Sequence, residues 1–123
     1  MHRIPLDVFM SIAELIDAMQ TFVDERDWNQ FHSPKNLAMG LIIEASELLE
    51  CVQWDDPTPE EIRSDPRRLE HLGEEIADVF LYLIRFISVM DFDLIELARE
   101  KMVKNQKKYP ADQSKGTWLG PWE

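Results

Sequence analysis

The 123-residue chain has a single cysteine, Cys51. That rules out an intrachain disulfide and any zinc centre built from several thiolates. Glycine is scarce, at four positions, and none follows Asn or Asp. The commonest signal for a tight β-hairpin is therefore missing. Positive charge is also short: 13 Lys and Arg face 24 Asp and Glu, for a net charge of −11. Such a balance argues against nucleic-acid backbones and acidic membranes as partners. The longest apolar run, "VFLYLI" from Val79 to Ile84, is too short to span a bilayer. The opening "MHRIPLDVFM" has neither a long apolar core nor a small-residue cleavage site. No signal peptide is expected, and the expected setting is the cytoplasm. With 45% hydrophobic residues, the composition is that of one globular domain.

Helical spacing dominates what is present. Ser11 and Glu14 can form a capping box. Val8, Ile12, Leu15, Met19 and Phe22 then recur at three or four residues, along one helix face. Ser33-Pro34 opens a second helix, expected to run to about Gln53. "WDDPTPEEI" breaks it, and Thr58 with Glu61 caps a short turn. Asp65-Pro66 opens a long helix to about Met90, weakened at Gly73, where a break is allowed for. Asp93 with Glu96 caps a last helix from Leu94 to about Lys108, which Pro110 ends. The tail from residue 111 to 123 has no helical period. The expectation is an all-α domain over residues 1–110, a bundle of four main helices, followed by a non-helical tail. The second and third long helices are apolar nearly all round. They need cover on more than one side, so a homo-oligomer is expected to complete the bundle.

Within those two helices stand carboxylates. "LIIEASELLE" places Glu44 and Glu47 three residues apart, and "GEEIADVFLYLIRF" does the same with Glu75 and Asp78. Residues three apart lie about 60° apart around a helix axis, so each pair projects to one side. On the third long helix the stripe continues through Tyr82 and Arg85. An ordinary solvated seam, with Arg85 paired to an acid, accounts for either pair alone. Two matched pairs in the two most apolar helices point instead to oxygen ligands for a divalent cation, Mg²⁺ or alternatively Mn²⁺. A di-iron bundle needs Glu-x-x-His steps, and His2, His32 and His71 do not supply them.

"EASE" followed by "EIAD" resembles the E-x-x-E…E-x-x-D signature of the MazG-like all-α nucleoside triphosphate pyrophosphatases. "ERDWNQFHSPKNLA", "QW", "DVFLYLIRF" and "KMVKNQKKYP" extend the likeness to the dCTP pyrophosphatase branch, in the same order over roughly residues 15–110. Ile43 and Ser46 stand where that branch often has glycine. The resemblance implies Mg²⁺-dependent hydrolysis of a (deoxy)nucleoside triphosphate, dCTP or a modified dCTP, to the monophosphate and pyrophosphate. It implies Glu44, Glu47, Glu75 and Asp78 as the metal ligands and catalytic set.

The resemblance also bears on residues that are ambiguous alone. A tryptophan in a loop is ordinarily a core plug; the likeness implies that Trp28, His32 and Trp54 meet the substrate instead. Tyr82 would pack against its sugar. In the last helix Lys101 and Asn105 share a side with Leu94 and Ala98, and the likeness implies substrate contact for Lys101, Asn105 and Tyr109. Lys104, Lys107 and Lys108 read as solvated lysines. Trp118 and Trp122 lie outside the likeness, either packing on a neighbouring subunit or forming a loose tail. Self-association as a tetramer or dimer is implied as well. Rival readings are a dimeric dUTPase, a broad-specificity MazG enzyme, or a non-catalytic helical nucleotide-binding or interaction module.

Overall fold

Helix starts in the computed structural model, which describes residues 10–117, follow the chemistry of unpaired first-turn donors. Ser11 caps α1 (Ile12–Glu25): the Glu14 N–H donates to Ser11 Oγ at 3.1 Å, and the Ser11 N–H to Glu14 Oε1 at 3.4 Å. Ser33 caps α2 (Pro34–Glu50), accepting from the Asn36 N–H at 3.2 Å. Thr58, Asp65 and Asp93 do the same for α3 (Pro59–Arg63), α4 (Pro66–Val89) and α5 (Leu94–Lys108). The all-α expectation holds: the described residues contain no strand, and α1, α2, α4 and α5 are the four main helices.

Two differences from the expected boundaries, and one allowed break that does not occur, have physical causes. First, α2 stops at Glu50, before Gln53. Arg68 donates to the Cys51 carbonyl at 2.9 Å and grips Asp55 with two bonds of 2.7 Å. At the helix end itself the Cys51 and Val52 N–H groups bond back three residues, to the Leu48 carbonyl at 3.2 Å and the Leu49 carbonyl at 3.0 Å, so the chain tightens into turns there. Second, α4 passes through Gly73 without a break. Its packing on α2 supplies what the glycine's propensity withholds. Third, the tail expected to lack helix opens with one turn, α6 (Ala111–Ser114). Pro110, at φ −57°, accepts at its carbonyl from the N–H groups of Gln113 and Ser114. A single turn needs no apolar period, which is why spacing does not reveal it. Trp118 and Trp122 lie outside the described residues.

The end of α1 positions the first aromatic of interest. Asp27 adopts a left-handed backbone with φ 54°. The Trp28 N–H reaches back to the Val23 carbonyl at 3.0 Å and the Asp27 N–H to Asp24 at 3.1 Å. This is a Schellman stop with aspartate where glycine is usual, tolerated because short polar residues visit that region. A 3₁₀ turn, Asn29–Phe31, then leads into Ser33.

Two compact units divide the chain, one running to Asp91 and the other starting at Phe92. In the first, α4 is the hub, with α1, α2 and α3 all packing on it and α2 most extensively. The buried apolar residues are Val23, Leu37, Ile62, Ile84 and Ile87, contributed by all four helices. Much else stays uncovered. Met39, Ile42, Ile43 and Leu49 on α2 are exposed, Ile42 to 68%, as are Leu69, Ile76 and Phe80 on α4. In the second unit, α5 exposes Ile95, Leu97, Met102 and Val103.

A Cβ at Gly73 would meet nothing within 4 Å. Gly73→Ala is therefore expected to raise stability by about 0.5–1 kcal/mol through backbone entropy and helix propensity. Chemical denaturation checks this; an unchanged or lowered midpoint would contradict an unbroken, open helix at that position.

Candidate active site

The packing of α2 on α4 brings Glu44, Glu75 and Asp78 together: each offers a carboxylate oxygen, and these lie within 4.8 Å of one another. Glu44 and Glu75 are half-buried and Asp78 is exposed. One oxygen of Glu44 and one of Glu75, Oε2 in both, is buried without a hydrogen-bond partner. Burial pushes the Glu44 carboxyl above the usual carboxylate range, helped by its contact with Glu47 and by the charges of Glu47, Asp78 and Glu75. Glu75 is pushed up by burial and by Glu47, and His71 opposes the rise. His71 Nδ1 stands 3.9 Å from Glu75 Oε1 one turn away. Glu47 thus sits beside both Glu44 and Glu75, although it falls outside the tightest group of three.

Carboxylate oxygens left buried and unpaired need either a proton or a cation. The donor set is all oxygen, with no thiolate, which fits a hard divalent ion. The acidic cluster can bind a metal; its chemistry matches that of Mg²⁺ and Mn²⁺ sites.

Tyr82, one turn beyond Asp78, lies against α2. A Cβ added at Gly40 would stand 2.7 Å from Tyr82 Cζ and 2.9 Å from Cδ1. Those distances are shorter than real Cβ contacts allow, so the ring packs directly onto the glycine backbone. Gly40 was not singled out from spacing. Its signal is a lone glycine in the interior of an apolar helix.

Arg85 continues the stripe yet is only 4% exposed. The acidic partner that a solvated seam would have given it is absent among the described residues, and three neutral groups take its place. Its Nε donates to His32 Nδ1 at 2.8 Å, Nη1 to Gln20 Oε1 at 2.7 Å, and Nη2 to Asn29 Oδ1 at 2.9 Å. Both amides turn their nitrogens to Asp24 Oδ1, each at 2.7 Å. These bonds hold the Asp24 carboxyl below its usual range. Burial, then the positive charge of Arg85, pushes His32 down. Gln20, Asp24 and Asn29 escaped the sequence reading, since nothing local marks a polar residue as the partner of one far along the chain.

Trp28 is partly exposed and meets Phe22 edge-on at 5.7 Å between ring centres. Trp54 is 88% exposed, on the loop held by Arg68, beside an open recess lined by Glu50, Cys51, Asp55 and His71. In the second unit Lys101 is exposed, and Asn105 and Tyr109 are half-buried. The Tyr109 N–H donates to the Asn105 carbonyl at 2.8 Å, and its hydroxyl is buried without a partner.

Residues 41–118 match the model of the MazG-like family. The chain is 38% identical to dCTP pyrophosphatase 1 of Mus musculus over 97 residues, covering 78% of this chain and 57% of that protein. It is 41% identical to dCTP pyrophosphatase 1 of Homo sapiens over 91 residues, covering 73% and 54%. The chain thus spans just over half the length of the curated relatives it matches. A crystal structure of a pyrophosphatase from Archaeoglobus fulgidus superposes with a TM-score of 0.73 at 40% identity, covering 86% of this chain and 99% of that one.

Two outcomes are expected. Gly40→Ala drives a methyl into the Tyr82 ring and should cost about 1–3 kcal/mol. Adding Tyr82→Ala should recover part of that loss in a double-mutant cycle by denaturation; strict additivity would mean that the two do not touch. Second, metal-free protein should lose stability as pH rises above the ordinary carboxylate range. There the native state still holds protons, on Glu44 and Glu75, that the unfolded state has released. Melting across pH with chelator and with excess Mg²⁺ checks the sign, and Mg²⁺ should flatten the decline.

Proposed function

Since this chain belongs to the MazG-like family, we propose that it hydrolyses a (deoxy)nucleoside triphosphate to the monophosphate and pyrophosphate, with dCTP or a modified dCTP as substrate. The biological role would be sanitation of the nucleotide pool in the cytoplasm. The observation that carries this reading is the convergence of Glu44, Glu75 and Asp78, with buried oxygens on Glu44 and Glu75 that nothing among the described residues pairs. The proposed catalytic unit is residues 1–110.

The proposed ligand set is Glu44, Glu47, Glu75 and Asp78, and the proposed ion is Mg²⁺, with Mn²⁺ as the alternative. When bound, such an ion supplies charge neutralisation for phosphate oxygens and makes nearby water more acidic. The protein's own part is positioning and proton handling. A carboxylate, Glu44 or Glu47, orients a water toward the α-phosphorus and accepts its proton. The water oxygen bonds to phosphorus, the bond to the α,β-bridging oxygen breaks, and pyrophosphate leaves with that electron pair. Trp28, His32 and Trp54 are proposed to hold the base. Tyr82 is proposed to pack on the sugar, and Lys101, Asn105 and Tyr109 to contact phosphate or sugar.

Self-association is proposed from the uncovered apolar faces of α2 and α4, as a homotetramer or homodimer. Light scattering on the eluting species reads the subunit count directly, and a monomer at micromolar concentration would remove this part of the reading. No described helix is long and apolar enough to cross a membrane.

Glu47→Gln and Asp78→Asn should each lower pyrophosphate release by about 10²-fold or more while far-ultraviolet dichroism stays helical. Near-normal metal-dependent turnover in either variant would refute the ligand assignment. Across a panel of triphosphates, dCTP or a modified cytosine should show the highest kcat/KM. Preference for dUTP would move the reading to a dUTPase, and no release from any triphosphate would leave a non-catalytic nucleotide-binding module.

A further inference from the structure

Arg85 spends its burial on an unusual partner. A buried guanidinium commonly faces a carboxylate; here its Nε–H points at the Nδ1 of His32, 53 residues earlier in the chain. Because Nε always carries a hydrogen, the facing Nδ1 must present its lone pair. The ring's proton then has to sit on Nε2. A second proton on Nδ1 would set donor against donor at 2.8 Å, so the imidazole is held neutral by geometry.

The rest of the network makes this arrangement rigid. Gln20 from α1 and Asn29 from the 3₁₀ turn take the two outer nitrogens of Arg85, and both are fixed from behind by Asp24. The charged groups facing His32 are thus Arg85 from α4 and, beyond the two amides, Asp24 from α1. No hydrogen bond among the described residues engages His32 Nε2, and the ring is half-buried in the link that also carries Trp28.

We propose that Arg85 is a positioning residue that fixes His32 as the Nε2–H tautomer, so that His32 serves as a permanent hydrogen-bond donor to an acceptor atom of the bound nucleotide. The acceptor is a phosphate oxygen or a carbonyl of the base. In either role His32 neither removes a proton from water nor accepts one from an amino group. The identity of the ligand rests on the pyrophosphatase reading; the tautomer does not.

Nitrogen-15 labelling of histidine and two-bond proton–nitrogen correlation read the tautomer in the intact protein, with His32 assigned by its absence in His32→Gln. The expected pattern is Nε2–H, unchanged between about pH 5.5 and 8. An Nδ1–H pattern, or titration near the ordinary value of about 6.5, would overturn the proposal without any variant. Arg85→Met should release the ring to mixed tautomers and ordinary titration; a retained Nε2–H lock in that variant would equally overturn the role of Arg85. Adding a non-hydrolysable dCTP analogue with Mg²⁺ should shift the Nε2 resonance. A shift with inorganic tripolyphosphate alone assigns the acceptor to phosphate, and a shift with deoxycytidine alone assigns it to the base. No shift at analogue concentrations that calorimetry shows to be saturating would overturn the donor role.

In kinetics, His32→Leu and Arg85→Met should each raise KM about tenfold, with kcat changing less than about threefold. His32→Gln keeps an outward N–H and an inward acceptor, and should recover most of that loss. An unchanged KM in His32→Leu would overturn the proposal. Failure of the wild-type protein to release pyrophosphate would instead count against the pyrophosphatase reading and leave the tautomer result standing.

Discussion

Like charges held close on two packed helices are the constraint from which the rest follows. α2 meets α4 along a face that carries Glu44, Glu47, Glu75 and Asp78, and apolar packing must hold that face together against their repulsion. A desolvated carboxylate has few remedies: it takes up a proton, finds a cation, or moves away. The raised proton affinities of Glu44 and Glu75 are the first remedy at work in the chain alone. The second remedy is what a metal-dependent pyrophosphatase would use. The fold thus keeps a position that a cation could satisfy.

Arg85 shows the opposite solution in the same helix. Its charge is more deeply buried than that of any described acid, yet each of its three nitrogens finds an acceptor within the chain. Two amides pass the field on to Asp24, so positive and negative charge are linked through neutral dipoles. One network is closed and ties down the link that carries Trp28 and His32; the other is open, with carboxylate oxygens that no described residue pairs. A site proposed to bind a highly charged nucleotide would benefit from both, because the open carboxylates attract a cation that can in turn draw phosphate, while the closed network holds the link with Trp28 and His32 still.

The small buried core has a related meaning. Only Val23, Leu37, Ile62, Ile84 and Ile87 among the described apolar residues are buried, while α2 and α4 turn large side chains outward. Helices apolar on several sides are suited to a setting with more cover than one chain gives them. The proposed self-association and the proposed site therefore draw on the same two helices, with carboxylates on one face and uncovered aliphatic residues on others.

Local rules were readable without coordinates. Ser11, Ser33, Thr58, Asp65 and Asp93 announce helix starts because a cap acts within three residues of itself. The carboxylate stripe was legible for the same reason, since the helix period alone puts Glu75 and Asp78 on one side. Contacts made from a distance were not: Arg68, 17 residues on, takes the Cys51 carbonyl just past the end of α2. The fit of Tyr82 onto Gly40 and the partners of Arg85 were hidden likewise, and Gln20 lies 65 residues from the arginine it satisfies. Sequence by itself determined where the main helices start and which face each acid takes, because those depend on neighbours within one turn. Only the packing of α1 and α2 on α4 decided which acids meet, which cation is sealed inside and which histidine nitrogen is left to donate, because such contacts join side chains that the chain's own period never brings together.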